Sequence, residues 1–423
     1  MSVTRDQRIA VALTDWFHRA QRDLPWRRSQ DAYAIWVSEI MLQQTRVATV
    51  IPYWQRWMAE FPTVQALAAA PSDAVLARWA GLGFYRRARN LHAGAKAVVD
   101  QFAGTMPSRA ADLRAVPGIG PYTAGAIASL AFAERTPLVD GNVARVIARI
   151  ETITSDIKST RATKLCWQRA GELMTALPAD RTPGALNQAL MELGALVCTP
   201  GTPNCVQCPL FGQKVCSAEM TRTQTHYPVV AKRKAAADLP LLVVHAAWIQ
   251  TDQGIVLARR NPTGLFGGLW ELPSGATRAS VCATWHLAHD VNVVVVAHHA
   301  QVLSHRRLEI EVFVAPLGKH GKRRYAPSLD LAVYDDWRIV PLATAAALGI
   351  SAATAAIIAK YKDAPWKPTP KPSRSSTKVT KKSWLASANS ASTSPTPTSS
   401  TPQHARPKAS TSSSTTKPKS KAK

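Results

Sequence analysis

A chain of 423 residues, 46% of them hydrophobic and 19% charged, has room for two compact domains and enough apolar matter to bury their cores. Its formal net charge is +25, and residues 364–423 hold twelve Lys/Arg and no Asp/Glu, which leaves +13 on the rest; the folded part itself is expected to meet a polyanion such as nucleic acid. No apolar run reaches the roughly 18 residues of a membrane span, and Met1-Ser2-Val3-Thr4-Arg5-Asp6 lacks a signal-peptide core, so no membrane contact is expected and a reducing cytosol is, where thiolates bind metals rather than pair.

In chain order, residues 5–220 read as helices, with apolar positions recurring at three and four spacing. Asp31 precedes one long pattern over 33–58, interrupted at Pro52. Thr63 and Ser72 suit the caps of two shorter helices, and Gly81-Leu82-Gly83 ends the second. Further helices are expected over 85–102, 113–116, 122–132, 143–150, 161–177 and 185–197. Residues 222–238 are polar and basic, with Lys232-Arg233-Lys234, and read as a linker. Short β-branched runs follow over 241–249, 255–259, 291–297 and 308–314, with helical stretches over 280–290 and 351–361, the pattern of a smaller α+β domain. From about Asp363 onward Ser, Thr, Pro, Lys and Ala dominate; such a tail cannot bury enough apolar area to offset its ordering entropy and is expected to be disordered, a spacer or a salt-sensitive attractor for DNA.

Four features carry chemistry. Cys198, Cys205, Cys208 and Cys216 crowd into nineteen residues, while only Cys166 and Cys282 occur elsewhere; the C-x6-C-x2-C-x7-C run reads as a four-thiolate site for a metal or an iron–sulfur cluster. Glu39 sits in Ala34-Ile35-Trp36-Val37-Ser38-Glu39-Ile40-Met41-Leu42, a helix segment apolar enough to desolvate a carboxylate and favour its acid form, unless it reaches solvent or an arginine. Asp140, in Leu138-Val139-Asp140-Gly141-Asn142-Val143, suits a helix N-cap, and a carboxylate held by helix-start amides can also face a developing cation. Gly118-Ile119-Gly120-Pro121-Tyr122 turns sharply into a helix and bares amides to an anion, as a helix-hairpin-helix does for a DNA phosphate; an ordinary glycine turn is the plainer reading.

Together with Leu24-Pro25-Trp26-Arg27, Gln43-Gln44-Thr45, Gly81-Leu82-Gly83 and Ala88-Arg89-Asn90-Leu91, these stretches make residues 8–220 resemble the adenine DNA glycosylase (MutY) family of the endonuclease III-like superfamily. The fold implied is a mainly α helix-hairpin-helix glycosylase domain with an iron–sulfur module, then an α+β Nudix-like domain and a disordered basic tail. Its bounds are 1–221 (hairpin about 113–133, cysteine loop 198–216), linker 222–238, then 239–362 and 363–423. The resemblance implies that Glu39 protonates adenine at N7 and later assists the water, that Asp140 stabilises the oxocarbenium-like sugar, and that Asn142 and Tyr122 help position acid and sugar. Arg27 and Glu192 would line the adenine pocket with Trp26 nearby; Gln44 and Phe84 would fill the gap left by the flipped base, and Gly118 and Gly120 would hold a phosphate. Bifunctional relatives carry lysine where Tyr122 stands, so base excision without strand cleavage is implied.

Two departures from the family stand out. The last cysteine gap has seven residues where five are usual, and Phe84 replaces the usual tyrosine. One [4Fe–4S] cluster is still implied, with zinc the rival. Gly264-Leu265-Phe266-Gly267-Gly268-Leu269-Trp270-Glu271-Leu272-Pro273 resembles the MutT-like domain of the same family, but residues 274–290 lack the glutamates that hold Mg²⁺, so binding rather than hydrolysis is expected of it. Leu303-Ser304-His305 stands where the family has a Phe-Ser-His loop that inspects 8-oxoguanine, which assigns Ser304 and His305 to lesion contact. The expected activity is removal of adenine mispaired with 8-oxoguanine or G in double-stranded DNA, by a monomer in the cytoplasm at the nucleoid. An enzyme for damaged pyrimidines and a non-catalytic iron–sulfur DNA-binding protein are the competing readings.

Overall fold

The structure is a computed structural model that describes residues 3–231, 235–251, 253–287, 294–303, 305–314 and 333–361. Lys232-Arg233-Lys234 and the expected tail, 363–423, lie outside the described residues.

The first part is helical: α1 (Arg5–Ala20), α2 (Ala32–Leu42), α3 (Val47–Glu60), α4 (Val64–Ala69), α5 (Ser72–Trp79), α6 (Arg86–Gln101), α7 (Ala110–Leu113), α8 (Pro121–Ala131), α9 (Gly141–Ile150), α10 (Thr160–Ala176), α11 (Pro183–Leu196) and α12 (Ser217–Met220). These form two lobes. One is centred on α2, apolar on nearly every side and buried from Ala32 to Met41, with Trp57 and Trp79 of the neighbouring helices in the same core. An all-round apolar helix has no face to give to water, so it becomes the axis of the lobe. The other joins α1 to α9, α10 and α11 through Leu13, Val146, Leu173 and Leu190. No described helix is long and apolar enough to cross a membrane.

The pattern over 33–58 breaks earlier than Pro52. Residues Gln43 to Arg46 separate α2 from α3, with Gln44 left-handed at φ 58°, while Pro52 sits inside α3. A proline in the second turn removes one helical hydrogen bond without ending the helix. The helix expected over 113–116 stops at Leu113, because Ala115 and Val116 bond back three residues, to Asp112 and Leu113, in tight turns.

The second part carries β1 (Leu241–Trp248), β2 (Ile255–Arg260), β3 (Trp270–Glu271), β4 (Ser274–Gly275), α13 (Arg278–Thr284), β5 (Val294–Val302), β6 (Arg307–Val314), β7 (Tyr334–Val340) and α14 (Ala352–Tyr361). One sheet runs β4-β1-β6-β5 with β1 and β6 parallel; the other runs β3-β2-β7, antiparallel throughout. Of the expected 280–290 helix and 291–297 strand, residues 288–293 lie outside the described residues. Strand β7 was not expected: Asp335, Asp336 and Arg338 break the apolar alternation that marks a strand.

The two parts share a seam. Asp73 of α5 faces Arg259 at 3.8 Å and Arg338 at 3.4 Å, Tyr85 donates to the Ile350 carbonyl at 3.1 Å, and Arg89 donates to the Gly267 carbonyl. Leu269 and Phe266 pack into the core of the α2 lobe, so the seam is apolar beneath its polar contacts.

Candidate active site

A cleft of about 890 Å³ opens between the two lobes, lined by Arg27, Glu39, Tyr122, Asp140, Asn142 and Glu192 among others. Both carboxylates central to the expected chemistry reach it from helices that the packing dictates. Glu39 comes from the last turns of α2 and is 5% exposed. Asp140 is the N-cap of α9: Oδ1 accepts from the Val143 amide at 2.7 Å and Oδ2 from Asn142 Nδ2 at 2.8 Å.

Burial pushes the Glu39 pKa up to about 7; the Tyr122 hydroxyl, which donates to Oε2 in a short bond, and Arg27 pull against it, while the charge of Asp140 adds to it. The carboxyl is therefore poised between its acid and base forms at neutral pH. Burial also raises Asp140, opposed by the Val143 amide, Asn142 and Arg145. Asp140 has several donors and Glu39 one, so a shared proton belongs on Glu39. Tyr122 stands in the first turn of α8; burial and both carboxylates hold its pKa far above the usual phenol, so it remains a donor. Asn142 serves Asp140, not Glu39, and its Oδ1 accepts from Arg145 at 2.8 Å. Gly194 makes this approach possible, since a Cβ there would lie 2.7 Å from Asn142 Cβ.

Glu192, 1% exposed, forms the opposite wall. Burial alone would raise its pKa, but Arg22 and Arg27 hold it down at about 2. Arg22 meets it through Nε and Nη2 at 2.8 Å each and its backbone amide at 3.0 Å; Arg27 Nη2 stands at 2.9 Å. Arg22 escaped the sequence reading, because its partner lies 170 positions away along the chain. Trp26 packs edge-on against Trp54, centroids 6.0 Å apart, and braces this wall.

Gly118 adopts φ 84°, and a Cβ there would meet Asn90 Cβ at 2.7 Å, so the turn requires glycine. Gly120 caps α8 with open space before it. Gln44 and Phe84 are exposed, both at positive φ, 58° and 47°. His305 is exposed in the turn between β5 and β6, and it is not among the residues lining the cleft. Ser304 lies outside the described residues.

The four cysteines line one small cavity with Arg149, whose Nη1 donates to Cys198 Sγ at 3.2 Å. Among the described residues no three His, Cys, Asp or Glu side chains gather as a site for a single metal ion. Burial, with repulsion from neighbouring thiolates, pushes Cys208 up to about 12 and Cys216 up to about 11, so four bare thiolates would be unfavourable there and a group carrying positive metal centres suits them. The longer last gap is absorbed in a turn between two buried anchors, Leu210 and Val215, with Gln213 Nε2 bonded to the Pro209 carbonyl at 2.6 Å. Residues 224–231, expected as linker, are tied down: Arg149 Nε donates to the carbonyls of Gln224 and Tyr227, and the Ile157 amide donates to the Val229 carbonyl.

Residues 37–171 match the HhH-GPD superfamily of base excision DNA repair proteins, and residues 244–360 match the NUDIX domain. The lobed helical fold, with a buried acid beside a hairpin turn, thus belongs to the helix-hairpin-helix class of DNA repair proteins. The chain is 41% identical over 312 residues to the adenine DNA glycosylase of Homo sapiens, covering 62% of this chain and 56% of that one. It is 41% identical over 310 residues to that of Arabidopsis thaliana (64% and 48%) and 33% over 325 residues to that of Schizosaccharomyces pombe (63% and 69%). The matches span about half the length of the first two relatives. The chain belongs to the adenine DNA glycosylase family.

Proposed function

We propose that the chain is a monofunctional DNA glycosylase that hydrolyses the N-glycosidic bond of adenine mispaired with 8-oxoguanine, and with G, leaving an abasic site. The observation that carries this reading is the Glu39–Tyr122 pair: a carboxyl buried on an apolar helix, with a pKa near 7, in a cleft it shares with Asp140. Adenine enters the cleft flipped from the duplex, since the bond is otherwise unreachable. Arg27 and the ionised Glu192 hold its polar edge, Glu192 accepting from the amino group. Glu39 gives its proton to N7, the C1′–N9 electron pair passes to the purine, and the Asp140 carboxylate offsets the charge left on the sugar. Water then attacks C1′ and yields its proton to Glu39. Tyr122 offers no amine for a Schiff base, so the backbone stays intact.

Residues 1–221 would perform this chemistry and residues 239–362 would inspect the opposite base, with Ser304 and His305 bonding to the altered edge of 8-oxoguanine. Gly118 and Gly120 would seat a phosphate, and Gln44 and Phe84 would occupy the vacated stack. Cys198, Cys205, Cys208 and Cys216 fit one [4Fe–4S] cluster, which when bound would cross-link the end of α11 to the start of α12 beside α9. Iron and acid-labile sulfide analysis against zinc tests it. The protein would act as a monomer in the cytoplasm, at the nucleoid. The deciding experiment is single-turnover excision from an A:8-oxoguanine duplex: Glu39→Gln should slow it by about 10²–10⁴-fold. Equal rates would sink the assignment.

A further inference from the structure

Arg87, in the first turn of α6, sits at the meeting of two turns far apart in sequence. Its Nη1 lies 2.8 Å from the Ile40 carbonyl, 2.9 Å from that of Met41 and 2.8 Å from that of Gln43. Its Nη2 reaches Thr45 Oγ1 at 3.2 Å and the carbonyls of Leu82 and Gly83 at 3.1 and 3.2 Å. The first group is the C-terminal end of α2, where unpaired carbonyls favour a cation. Thr45 follows Gln44 in the same turn, while Leu82 and Gly83 form the turn that presents Phe84. Its guanidinium also lies over the rings of Trp79 and Phe84, at 5.1 and 5.6 Å.

What these turns have in common is strain. Gln44 and Phe84 are both non-glycine residues at positive φ, which costs about 1–2 kcal/mol each and persists only where the surroundings enforce it. Both side chains are exposed, so neither is held by its own burial. Trp79 Nε1 holds the Phe84 turn at the Gly83 carbonyl, and Arg87 is the side chain that holds both turns at once. Among the described residues no carboxylate pairs with it, and a carboxylate there would repel a DNA phosphate. Burial pulls the guanidinium pKa down to about 10, and it still carries its charge at neutral pH.

We propose that Arg87 is a positioning residue that fastens the Gln44 and Phe84 turns into one two-pronged wedge, so that both side chains enter the base stack together or not at all. The inference rests on the reading of these two residues as the groups that fill the flipped adenine's place. Lysine cannot replace the arginine, because a single ammonium cannot span two sets of carbonyls in a fixed fork.

The test uses the full chain and a duplex carrying 2-aminopurine next to the adenine opposite 8-oxoguanine, whose emission rises when the stack opens. Arg87→Lys should lose most of that rise and slow single-turnover excision by about tenfold or more. Gln44→Ala and Phe84→Ala should each reduce the rise in the wild-type background and add little to Arg87→Lys, a coupling that general loosening would not produce. If Arg87→Lys does not fold, Thr45→Val, which removes one contact, should show a smaller loss with the same coupling. Wild-type emission and additive effects in these variants would overturn the inference while leaving the glycosylase reading intact. A wild-type protein that neither opens the stack nor excises adenine would overturn both.

Discussion

The cleft holds two glutamates of nearly equal burial and opposite character. Glu39 has one neutral donor, Tyr122, and its pKa rises to about 7; Glu192 has two guanidiniums, and its pKa falls to about 2. Burial sets the size of the electrostatic stakes, and the charge of the partner sets the sign. One wall can therefore hold a transferable proton while the other, a few side chains away, remains a permanent acceptor.

Breaking the charged wall should have the largest effect. Replacing Arg22 and Arg27 together with methionine strands the Glu192 charge and should lower stability by about 3–5 kcal/mol at pH 7, read from urea midpoints. Adding Glu192→Gln should restore much of the loss. An unchanged midpoint in the double variant would mean that the cage does not hold the charge.

The apolar wall predicts the opposite pH signature. A carboxyl whose folded pKa is raised holds its proton while the unfolded chain releases it, so it erodes stability as pH climbs from about 4.5 to about 7. Glu39→Gln should therefore leave stability unaltered near pH 4 and raise it by up to roughly 3 kcal/mol at pH 8. Glu192, with its folded pKa depressed, contributes stability in full above its unfolded value and loses it progressively as pH falls from about 4.5 through about 2. Parallel pH–stability curves for wild type and Glu39→Gln would show that the glutamate is not desolvated.

A smaller change sharpens the contrast. Tyr122→Phe removes the one donor that lowers the Glu39 pKa, so the alkaline limb of the excision rate should move upward, by about one pH unit or less. A limb that stays in place would assign the titration to another group. Smallest of all should be His305→Ala, which is expected to reduce the preference for 8-oxoguanine over G by about tenfold or less while basal excision stands. Equal losses on both substrates would favour a structural role.

How much of this was readable beforehand depended on the range of the interactions. The α2 segment announces itself, because ten consecutive positions from Ala32 to Met41 are nearly all apolar and a glutamate among them has nowhere to go. Asp140 and Asp31 are legible as caps because a cap acts within three residues. Arg22 and Arg87 were not legible. Arg87 is bound to the carbonyls of Ile40, Met41 and Gln43, and backbone carbonyls leave no mark in a sequence. Strand β7 was hidden because Asp335, Asp336 and Arg338 join the ion-pair cluster at the seam around Asp73, and a pattern rule scores them only as polar.

Trp79 has a further use. Its indole is completely buried, donates to the Gly83 carbonyl at 3.0 Å and lies beneath the Arg87 guanidinium, one residue from the turn that carries Phe84. An indole's emission energy responds to the electric field across its ring, and here a full positive charge sits on one face. The molecule thus carries an intrinsic optical probe at the base of the Phe84 turn, so a shift in ultraviolet emission on mixing with duplex, absent in Trp79→Phe, would report the turn's movement without any label on protein or DNA.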